Sequence, residues 1–331
     1  MKMNEQSQSI LSLFFCLLAA MACSYQMSEG EPSPSRGGRP IQVEVPKFDG
    51  KAAYKILLRQ TEFGPRAPGS AGHQRCLQFL ERELKSYAEA VQRQQFWHKI
   101  PPNDRQAQLT NIIASFNINS SKRILLTAHW DTRPWADQDP NPKSRTKPIV
   151  GANDGASGVA VLLEIARLLK RNPPPIGVDI VLFDGEDLGT TGVPESFSAG
   201  AKYFARNLPA GKIPRFAINI DMIGDSDLQI PREVNSDRYA PQVVDLIFAT
   251  AQELDISQFI DAPGTEVTDD HMPLMNVGIP AVDLIDFSYP DGTNKYWHTM
   301  ADTPDKCSGE SLSAVGRVLL AIIYSKASSI Q

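Results

Sequence analysis

The sequence predicts an α/β protein with a largely parallel sheet covered by helices on both faces. Short apolar runs of strand character alternate with amphipathic helical segments, which is typical of parallel sheets. A chain of 331 residues with 42% hydrophobic residues can also bury a sizeable core without a disulfide framework. Polar residues of metal-binding types follow several of the predicted strands. Because ligands bind at the carboxyl ends of strands in open α/β sheets, this pattern places the function at one sheet edge.

The first 47 residues have the composition of an export leader and a linker. Residues 10–22 form an apolar run after Lys2 that is short for a membrane span and has the layout of a signal peptide. The run ends in Ala20-Met21-Ala22-Cys23, which resembles a bacterial lipoprotein cleavage box. Residues 1–23 are therefore predicted to be a signal peptide with Cys23 lipidated, and residues 24–47 a flexible tether. The product is expected to be a periplasmic or cell-surface lipoprotein; the alternative is cleavage near Ala22 and a soluble secreted enzyme.

Charge and cysteine usage exclude some classes of partner. The net charge of -5 gives no electrostatic argument for nucleic acid or for direct binding to an anionic membrane surface, so contact with a membrane is expected only through the lipid anchor. Of the four cysteines, Cys76 and Cys307 alone belong to the predicted mature body. They could form one disulfide in an oxidising compartment or remain two buried thiols.

Residues 48–331 are predicted to form a single catalytic domain whose fold ends near residue 328. Its first half should contain two helices and then three strands, with a Pro- and Gly-rich loop over 63–70. A long loop over 132–150 lies between two of the site motifs, which favours a functional role. In chain order the predicted elements are helices 51–61 and 71–88, strands 90–98, 109–116 and 123–128, helix 159–170, strand 180–183, helix 201–207, strand 216–220, helix 241–254, a polar turn 268–273, strand 281–285 and helix 311–325.

The stretch Val178–Asp187 is central to this prediction. Its apolar strand stops at Gly185 and presents Asp184, Glu186 and Asp187, which repel one another unless a cation or a proton compensates them. Alone, this is equally consistent with a solvated acidic turn. Asp154, predicted at or just before a helix N-terminus, has a similar alternative role as a helix cap.

Ligand-type residues follow the other strands as well, and together they favour a metal site. Imidazole and carboxylate ligands suit zinc, and a catalytic zinc keeps three protein ligands and one open position. The sequence contains neither a cysteine cluster nor a His-Glu-x-x-His motif, so the predicted site is rich in carboxylates. The candidates are His129, Asp154, Glu186, Asp187, Asp221, Asp270 and His298.

Five motifs in order resemble peptidase family M28, the co-catalytic zinc aminopeptidases, and within it the glutaminyl cyclase branch. The resemblance covers roughly residues 48–328. It implies a three-layer αβα sandwich with a central, mostly parallel mixed sheet of the zinc-exopeptidase kind. The motifs are Ala128-His129-Trp130-Asp131, Gly151-Ala152-Asn153-Asp154-Gly155-Ala156-Ser157-Gly158, Phe183-Asp184-Gly185-Glu186-Asp187, Asp221-Met222-Ile223-Gly224 and Trp297-His298-Thr299.

The resemblance also implies roles for individual residues. It assigns zinc binding to Asp154, Asp187 and His298 and general acid–base catalysis to Glu186. In the two-zinc aminopeptidases, the positions of His129 and Asp221 complete a second metal site that Asp154 bridges. In the cyclases one zinc acts, and the resemblance places Asp221 and Asp270 in a hydrogen-bonded carboxylate network with a catalytic role. Both branches usually have Glu-Glu where this chain has Glu186-Asp187.

Three features favour the cyclase branch. Trp297 directly precedes His298, where cyclases place an aromatic wall, Asp269-Asp270-His271 resembles the cyclase pattern, and Tyr289 falls at another aromatic pocket position. The loop that carries Trp135 also looks like that of bacterial cyclases. Against this, the position of a Trp in animal-type cyclases is Gly192 here; Phe197, Trp130 or Trp135 are candidates to replace it.

The predicted function is therefore conversion of the N-terminal glutamine of peptides or proteins to pyroglutamate with release of ammonia, with one zinc and a monomeric chain. The alternative is a two-zinc aminopeptidase that hydrolyses N-terminal residues. A catalytically inactive adhesion or receptor-like domain is a third possibility. Such relatives typically lose ligands, whereas none of the expected ones is missing here.

Overall fold

The structure, a computed structural model, describes residues 44–101, 105–209 and 213–326. The predicted signal peptide, the lipidation site Cys23 and most of the predicted tether lie outside these residues. Among the helices that are described, none combines the length and the apolar character needed to cross a membrane.

The described residues form eight strands and eight α-helices. Half of these helices begin after a residue whose side chain accepts a hydrogen bond from a free N–H group of the first turn; Asp49, for example, accepts from Ala52 and Ser70 from His73. The strands are β1 (Ala90–Ile100), β2 (Arg105–Phe116), β3 (Arg123–His129), β4 (Gly177–Phe183), β5 (Ala217–Asp221), β6 (Ile230–Arg232), β7 (Phe259–Pro263) and β8 (Ala281–Ile285). The helices are α1 (Gly50–Thr61), α2 (Ala71–Tyr87), α3 (Ala156–Arg171), α4 (Ala199–Arg206), α5 (Val234–Tyr239), α6 (Pro241–Glu253), α7 (His271–Met275) and α8 (Gly309–Ala321).

Six strands form one mixed sheet in the order β1-β2-β4-β3-β5-β8. The central strands β4, β3, β5 and β8 are mutually parallel, whereas β2 pairs antiparallel with β4 and β1 antiparallel with β2. The parallel strands therefore end at the same edge of the sheet, and the loops that follow them meet there.

Helices cover both faces of this sheet. Alternate residues of each strand point to opposite sides, so Ile180 and Leu182 of β4 join the larger hydrophobic cluster while Val181 and Phe183 join a smaller one. The larger cluster packs against α1, α2, α3, α6 and α8, and the smaller one against α4 and α7. The predicted three-layer αβα sandwich with a mostly parallel mixed sheet is confirmed.

The structure differs from the prediction at several elements. The predicted polar turn 268–273 contains the start of helix α7. Before the predicted helix 201–207, the structure has a 3₁₀ turn over Pro194–Ser196, and α4 begins two residues earlier than predicted, at Ala199. Strands β6 and β7, which pair with each other outside the main sheet, were not predicted because they are short and lack alternation. Cys76 and Cys307 are buried free thiols, so the disulfide alternative is wrong.

Candidate active site

Four of the predicted site residues lie at the carboxyl edge of the parallel strands. His129 ends β3, Asp221 ends β5, and Glu186 and Asp187 follow β4 by a left-handed turn at Gly185. A Cβ at Gly185 would lie 2.5 Å from Leu109 Cδ1, so the turn requires glycine both for its φ of 82° and for space.

Asp154 reaches the same place from the loop before α3. Gly155, with a φ of 96°, is the N-cap of α3, and a Cβ there would meet Asp131 O at 2.5 Å. The buried carboxylate of Asp302 accepts from the backbone N–H groups of Asn153 at 2.8 Å and Asp154 at 3.1 Å. These contacts fix the backbone that carries Asp154. Asp154 lies just before α3, as predicted.

The first cluster of possible ligands consists of Asp154, Asp187 and His298. One ligand atom from each lies within 4.8 Å of the others. His298 Nε2 is 3.0 Å from Asp187 Oδ1 and 3.5 Å from Asp154 Oδ2. His298 has a φ of 54°, an uncommon backbone conformation for a residue with a side chain. Burial lowers the pKa of His298, which favours the neutral imidazole that binds metals.

A second cluster shares Asp154 with the first. His129 Nε2 lies 3.2 Å from Asp154 Oδ1 and 3.1 Å from Asp221 Oδ1. Asp154 thus directs one carboxylate oxygen to each cluster, which is the geometry of a bridging ligand.

The residues present fit a metal ion. Asp154 Oδ2 and Asp187 Oδ2 are buried and have no hydrogen-bond partner among the described residues. Buried carboxylate oxygens without a partner are costly, and a cation would satisfy them. Imidazole and carboxylate donors suit zinc.

Asp131, which was not singled out from the sequence, supports both the His129 and the Glu186-Asp187 segments. It is fully buried, and its carboxylate accepts from the backbone N–H groups of Glu186 at 3.1 Å and Asp187 at 3.4 Å. Its Oδ1 also lies 3.6 Å from His129 Nδ1. A carboxylate beside the free ring nitrogen of a ligand histidine typically orients the ring, and the His-x-Asp spacing was the available signal.

Glu186 lies beside the first cluster. Burial, together with Asp269 and Asp187, raises the pKa of Glu186 well above its usual value. Ser198 Oγ donates to Glu186 Oε1 at 3.4 Å. A carboxyl group with a raised pKa holds a proton more readily, which suits a group that must accept a proton and then return it.

A cavity of about 280 Å³ opens over these residues. Trp297 forms part of its wall: its ring stacks on the His298 imidazole with centroids 3.8 Å apart and meets the Phe287 ring edge-on at 5.1 Å. The residues that line the cavity are Asp154, Glu186, Asp187, Thr191, Gly192, Pro194, Phe197, Asp221, Met222, Glu266, Val267, Thr268, Asp269, Ile285, Phe287, Trp297 and His298.

The structure does not bring Asp270 to this cavity. Asp269 lines it instead, with its Oδ2 accepting from Asn219 Nδ2 at 3.0 Å. The Asp270 carboxylate is fully buried and receives no hydrogen bond from the described residues, so the expected bond between Asp221 and Asp270 is absent from that part of the chain. Asp270 is the N-cap of α7, a helix that was not predicted from the sequence. Burial and Asp221 raise the pKa of Asp269 to about 6.

Some of the predicted aromatic pocket residues line the cavity and others do not. Tyr289 is fully buried outside the cavity lining and donates its hydroxyl to Asp302 at 2.9 Å, while Phe287 takes the place on the wall. Trp130 is a core residue that donates to Thr110 O at 3.2 Å. Of the three candidates to replace the aromatic ring missing at Gly192, only Phe197 is among the lining residues.

Comparison with known proteins decides the family. The family model for peptidase family M28 matches residues 111–323. The chain belongs to peptidase family M28. The prediction made from the five motifs is therefore confirmed.

Similar proteins carry the names of both the predicted branch and a zinc exopeptidase. A glutaminyl cyclase from Bacteroides thetaiotaomicron, solved with N-acetylhistamine, is 37% identical with a TM-score of 0.82, covering 85% of this chain and 99% of that one. A Zn-dependent exopeptidase from Parabacteroides distasonis is 36% identical with the same TM-score, covering 85% and 100%. The glutaminyl-peptide cyclotransferase-like protein of Mus musculus is 24% identical over 311 residues, 84% of this chain and 76% of that protein.

Proposed function

We propose that this chain is a zinc-dependent glutaminyl-peptide cyclotransferase, which converts the N-terminal glutamine of peptides and proteins to pyroglutamate and releases ammonia. The observation that carries the proposal is the Trp297 indole stacked at 3.8 Å on the ring of the ligand candidate His298, in a cavity of the M28 fold. A flat wall at this place can hold a glutamine side chain folded back toward its own α-amine. The names of the relatives with the same fold support the same activity.

Zinc would be held by Asp154, Asp187 and His298. When bound, it would supply Lewis-acid polarisation of the side-chain amide carbonyl. The α-amine nitrogen attacks the side-chain amide carbon, and the bond from that carbon to the amide nitrogen breaks. Glu186 accepts a proton from the amine and returns it to the departing nitrogen, so that ammonia leaves. Asp269, with Asp221 nearby, is the carboxylate that replaces Asp270 in support of the amide nitrogen.

Proximity supplies much of the rate in such an intramolecular reaction. The rings of Trp297, Phe287 and Phe197, which all line the cavity, limit the conformations of the glutamine side chain. Water is not the nucleophile, so a wall that brings two parts of the substrate together is more useful here than in a peptidase.

The test compares two classes of peptide with the purified, zinc-loaded protein. Peptides that begin with glutamine should release ammonia, and peptides that begin with leucine should release no free leucine. Trp297→Ala should lower turnover of the glutamine peptides strongly, whereas Trp297→Phe should retain most of it. Release of leucine by the wild type, with no ammonia from glutamine peptides, would contradict the proposal.

A second candidate is a two-zinc aminopeptidase. It is favoured by the 3.2 Å and 3.1 Å distances that join His129 to Asp154 and Asp221, because these complete a second cluster. The number of zinc ions per chain in the active protein distinguishes the two candidate functions, since the cyclase needs one ion and the aminopeptidase two.

We further propose that residues 1–23 direct export with lipidation at Cys23, that residues 24–47 are a tether, and that residues 48–331 form a single, monomeric catalytic domain. Cys23→Ala should move the protein from the membrane fraction to the soluble fraction. Unchanged membrane association would rule out this anchor. Stable anchoring needs more than one lipid chain.

A further inference from the structure

Arg133 lies outside the cavity, in the long loop that follows β3, and is fully buried. All five of its N–H groups have acceptors. Nε and Nη2 donate to the two carboxylate oxygens of Asp137, both at 2.7 Å. Nη1 donates to the backbone carbonyls of Asp187 at 3.0 Å and Gly189 at 3.2 Å, and Nη2 also donates to Thr191 Oγ1 at 3.0 Å.

Two further contacts close this arrangement. Thr191 Oγ1 donates in turn to Asp137 Oδ2 at 2.6 Å. The guanidinium carbon lies 5.4 Å from the centroid of the Phe197 ring and 5.2 Å from that of Trp135, within the range of cation–π contacts. We call Arg133, Asp137 and Thr191 the arginine clamp.

The clamp holds one wall of the cavity. Thr191, Gly192, Pro194 and Phe197 all line it. Residues 189–194 form hydrogen bonds with parts of the chain outside 186–202 only through Arg133 and Asp137, among the described residues. The Phe197 ring lies directly on the backbone of Gly189, where a Cβ would come within 2.1 Å of it.

The clamp also reaches the ligand residues. Asp137 Oδ1 lies 3.7 Å from His298 Nδ1, and Gln138 N donates to His298 O at 3.3 Å. Arg133 itself holds the carbonyl of Asp187. One buried side chain therefore ties the wall and two ligand candidates to the same point.

We propose that Arg133 is a positioning residue that sets the distance between the 188–197 wall and the ligand residues, and thereby the affinity for the substrate side chain. It touches none of the reacting atoms and acts through Asp187, Thr191 and Phe197. A lysine has three donors in place of a planar fork of five and cannot keep all of these contacts. Loss of the clamp should affect the wall more than the ligand residues, because Asp131 still holds the N–H groups of Glu186 and Asp187, and Asp302 that of Asp154.

The experiment uses the zinc-loaded full chain and four variants, Arg133→Lys, Thr191→Val, Thr191→Ser and the matched control Thr190→Val. Thr190 is the exposed neighbour of Thr191 and does not line the cavity. Amide hydrogen exchange is followed over residues 189–197 together with KM, kcat, zinc content and melting temperature.

Arg133→Lys should speed exchange over 189–197 by roughly tenfold or more, because these amides then open locally. KM for glutamine peptides should rise by about tenfold while kcat and zinc content change less. Thr191→Val should give a smaller change in the same direction. Thr191→Ser keeps the hydroxyl and should recover most of the loss seen in Thr191→Val, and the control Thr190→Val should exchange at the wild-type rate. Arg133→Lys combined with Thr191→Val should be no worse than Arg133→Lys alone, since both act through one clamp.

Unchanged exchange in both Arg133→Lys and Thr191→Val would overturn the proposal. Additive effects of the two substitutions, or a fall in kcat with loss of zinc and no change in KM, would do the same. If Arg133→Lys does not fold, Thr191→Val against Thr191→Ser decides alone. The kinetic readout rests on the proposed cyclase function, but the exchange readout does not, so failure of that function leaves the clamp tested.

Discussion

The ligand cluster and the cavity wall are built in different ways. Asp187 and His298 are buried, and their neighbours Asp131 and Asp302 hold the surrounding backbone through hydrogen bonds to its N–H groups. The 188–197 wall contains exposed and half-buried loop residues such as Thr191 and Phe197. The ligand candidates are placed by the order of strands and helices and by these backbone contacts, whereas the wall depends on side-chain contacts between distant loops.

This difference separates two kinds of substitution. A change among the buried carboxylates should alter the chemical step or the metal content, and a change in the wall should alter substrate binding. Evolution of a different substrate preference on this fold would therefore be expected in the wall first.

The largest effect is expected for Glu186→Gln. If Glu186 transfers protons and does not bind the metal, the variant should keep its zinc and lose at least about two orders of magnitude in kcat. Metal analysis and single-turnover kinetics measure the two separately. Loss of zinc together with activity would mean that the roles of Glu186 and Asp187 are exchanged.

The adjacent carboxylates Asp269 and Asp270 allow a matched comparison. Asp269→Asn should lower kcat/KM by about tenfold or more, because this residue lines the cavity. Burial, together with Asp269, raises the pKa of Asp270 well above its usual value. Asp270 does not line the cavity, and asparagine is close to it in size. Asp270→Asn should therefore change kcat/KM by less than about threefold. The opposite ranking would restore the catalytic role that the motif resemblance assigned to Asp270.

The structure brings the predicted ligand candidates together for a physical reason. His129, Asp154, Asp187 and Asp221 follow apolar strands or precede a helix, so their approximate places depend only on the order of elements. The parallel sheet follows from the same alternation of strands and helices.

Which other side chains line the cavity could not be predicted in this way. Whether Asp269 or Asp270 faces the cavity depends on the start of the five-residue helix α7, which leaves no clear periodicity in the sequence. Tyr289 and Phe287 are two positions apart, and only packing decides that Phe287 lines the cavity while Tyr289 bonds Asp302. Arg133 was passed over because a single arginine in a loop gives no signal until its five acceptors are brought together.

Glu233 holds the segment that carries Val267, another residue of the cavity lining. This contact should make the free energy of unfolding depend on pH. The buried Glu233 carboxylate accepts from the N–H groups of Asn235, Ser236 and Val267. Burial would raise the pKa of Glu233, but His271 and these donors lower it to about 2 from 4.5. Because the pKa is lowered by folding, the stabilisation is complete above about pH 4.5 and is lost as the pH falls toward 2.

Glu233→Gln should therefore reduce the free energy of unfolding at pH 7 by about 2 kcal/mol, allowing for solvent screening, with a smaller difference from the wild type below pH 4. Urea unfolding at several pH values measures this, with the exposed Glu195→Gln as control. If the difference in unfolding free energy between Glu233→Gln and the wild type does not depend on pH, Glu233 stabilises the fold through its packing and not through its charge.

The smallest effect is expected at the rim of the cavity. Six carboxylates and no lysine or arginine are among the lining residues, and Glu266 is the exposed one. A cleft lined by one sign of charge favours ligands of the opposite sign. Peptides with lysine after the N-terminal glutamine should therefore have a higher kcat/KM than peptides with glutamate there. Because Glu266 is solvated and lies 3.9 Å from Arg238, Glu266→Gln should reduce this preference by only about twofold to fivefold, and added salt should reduce it similarly. If the preference for lysine is unchanged in Glu266→Gln and in high salt, the shape of the cavity and not its charge determines the preference.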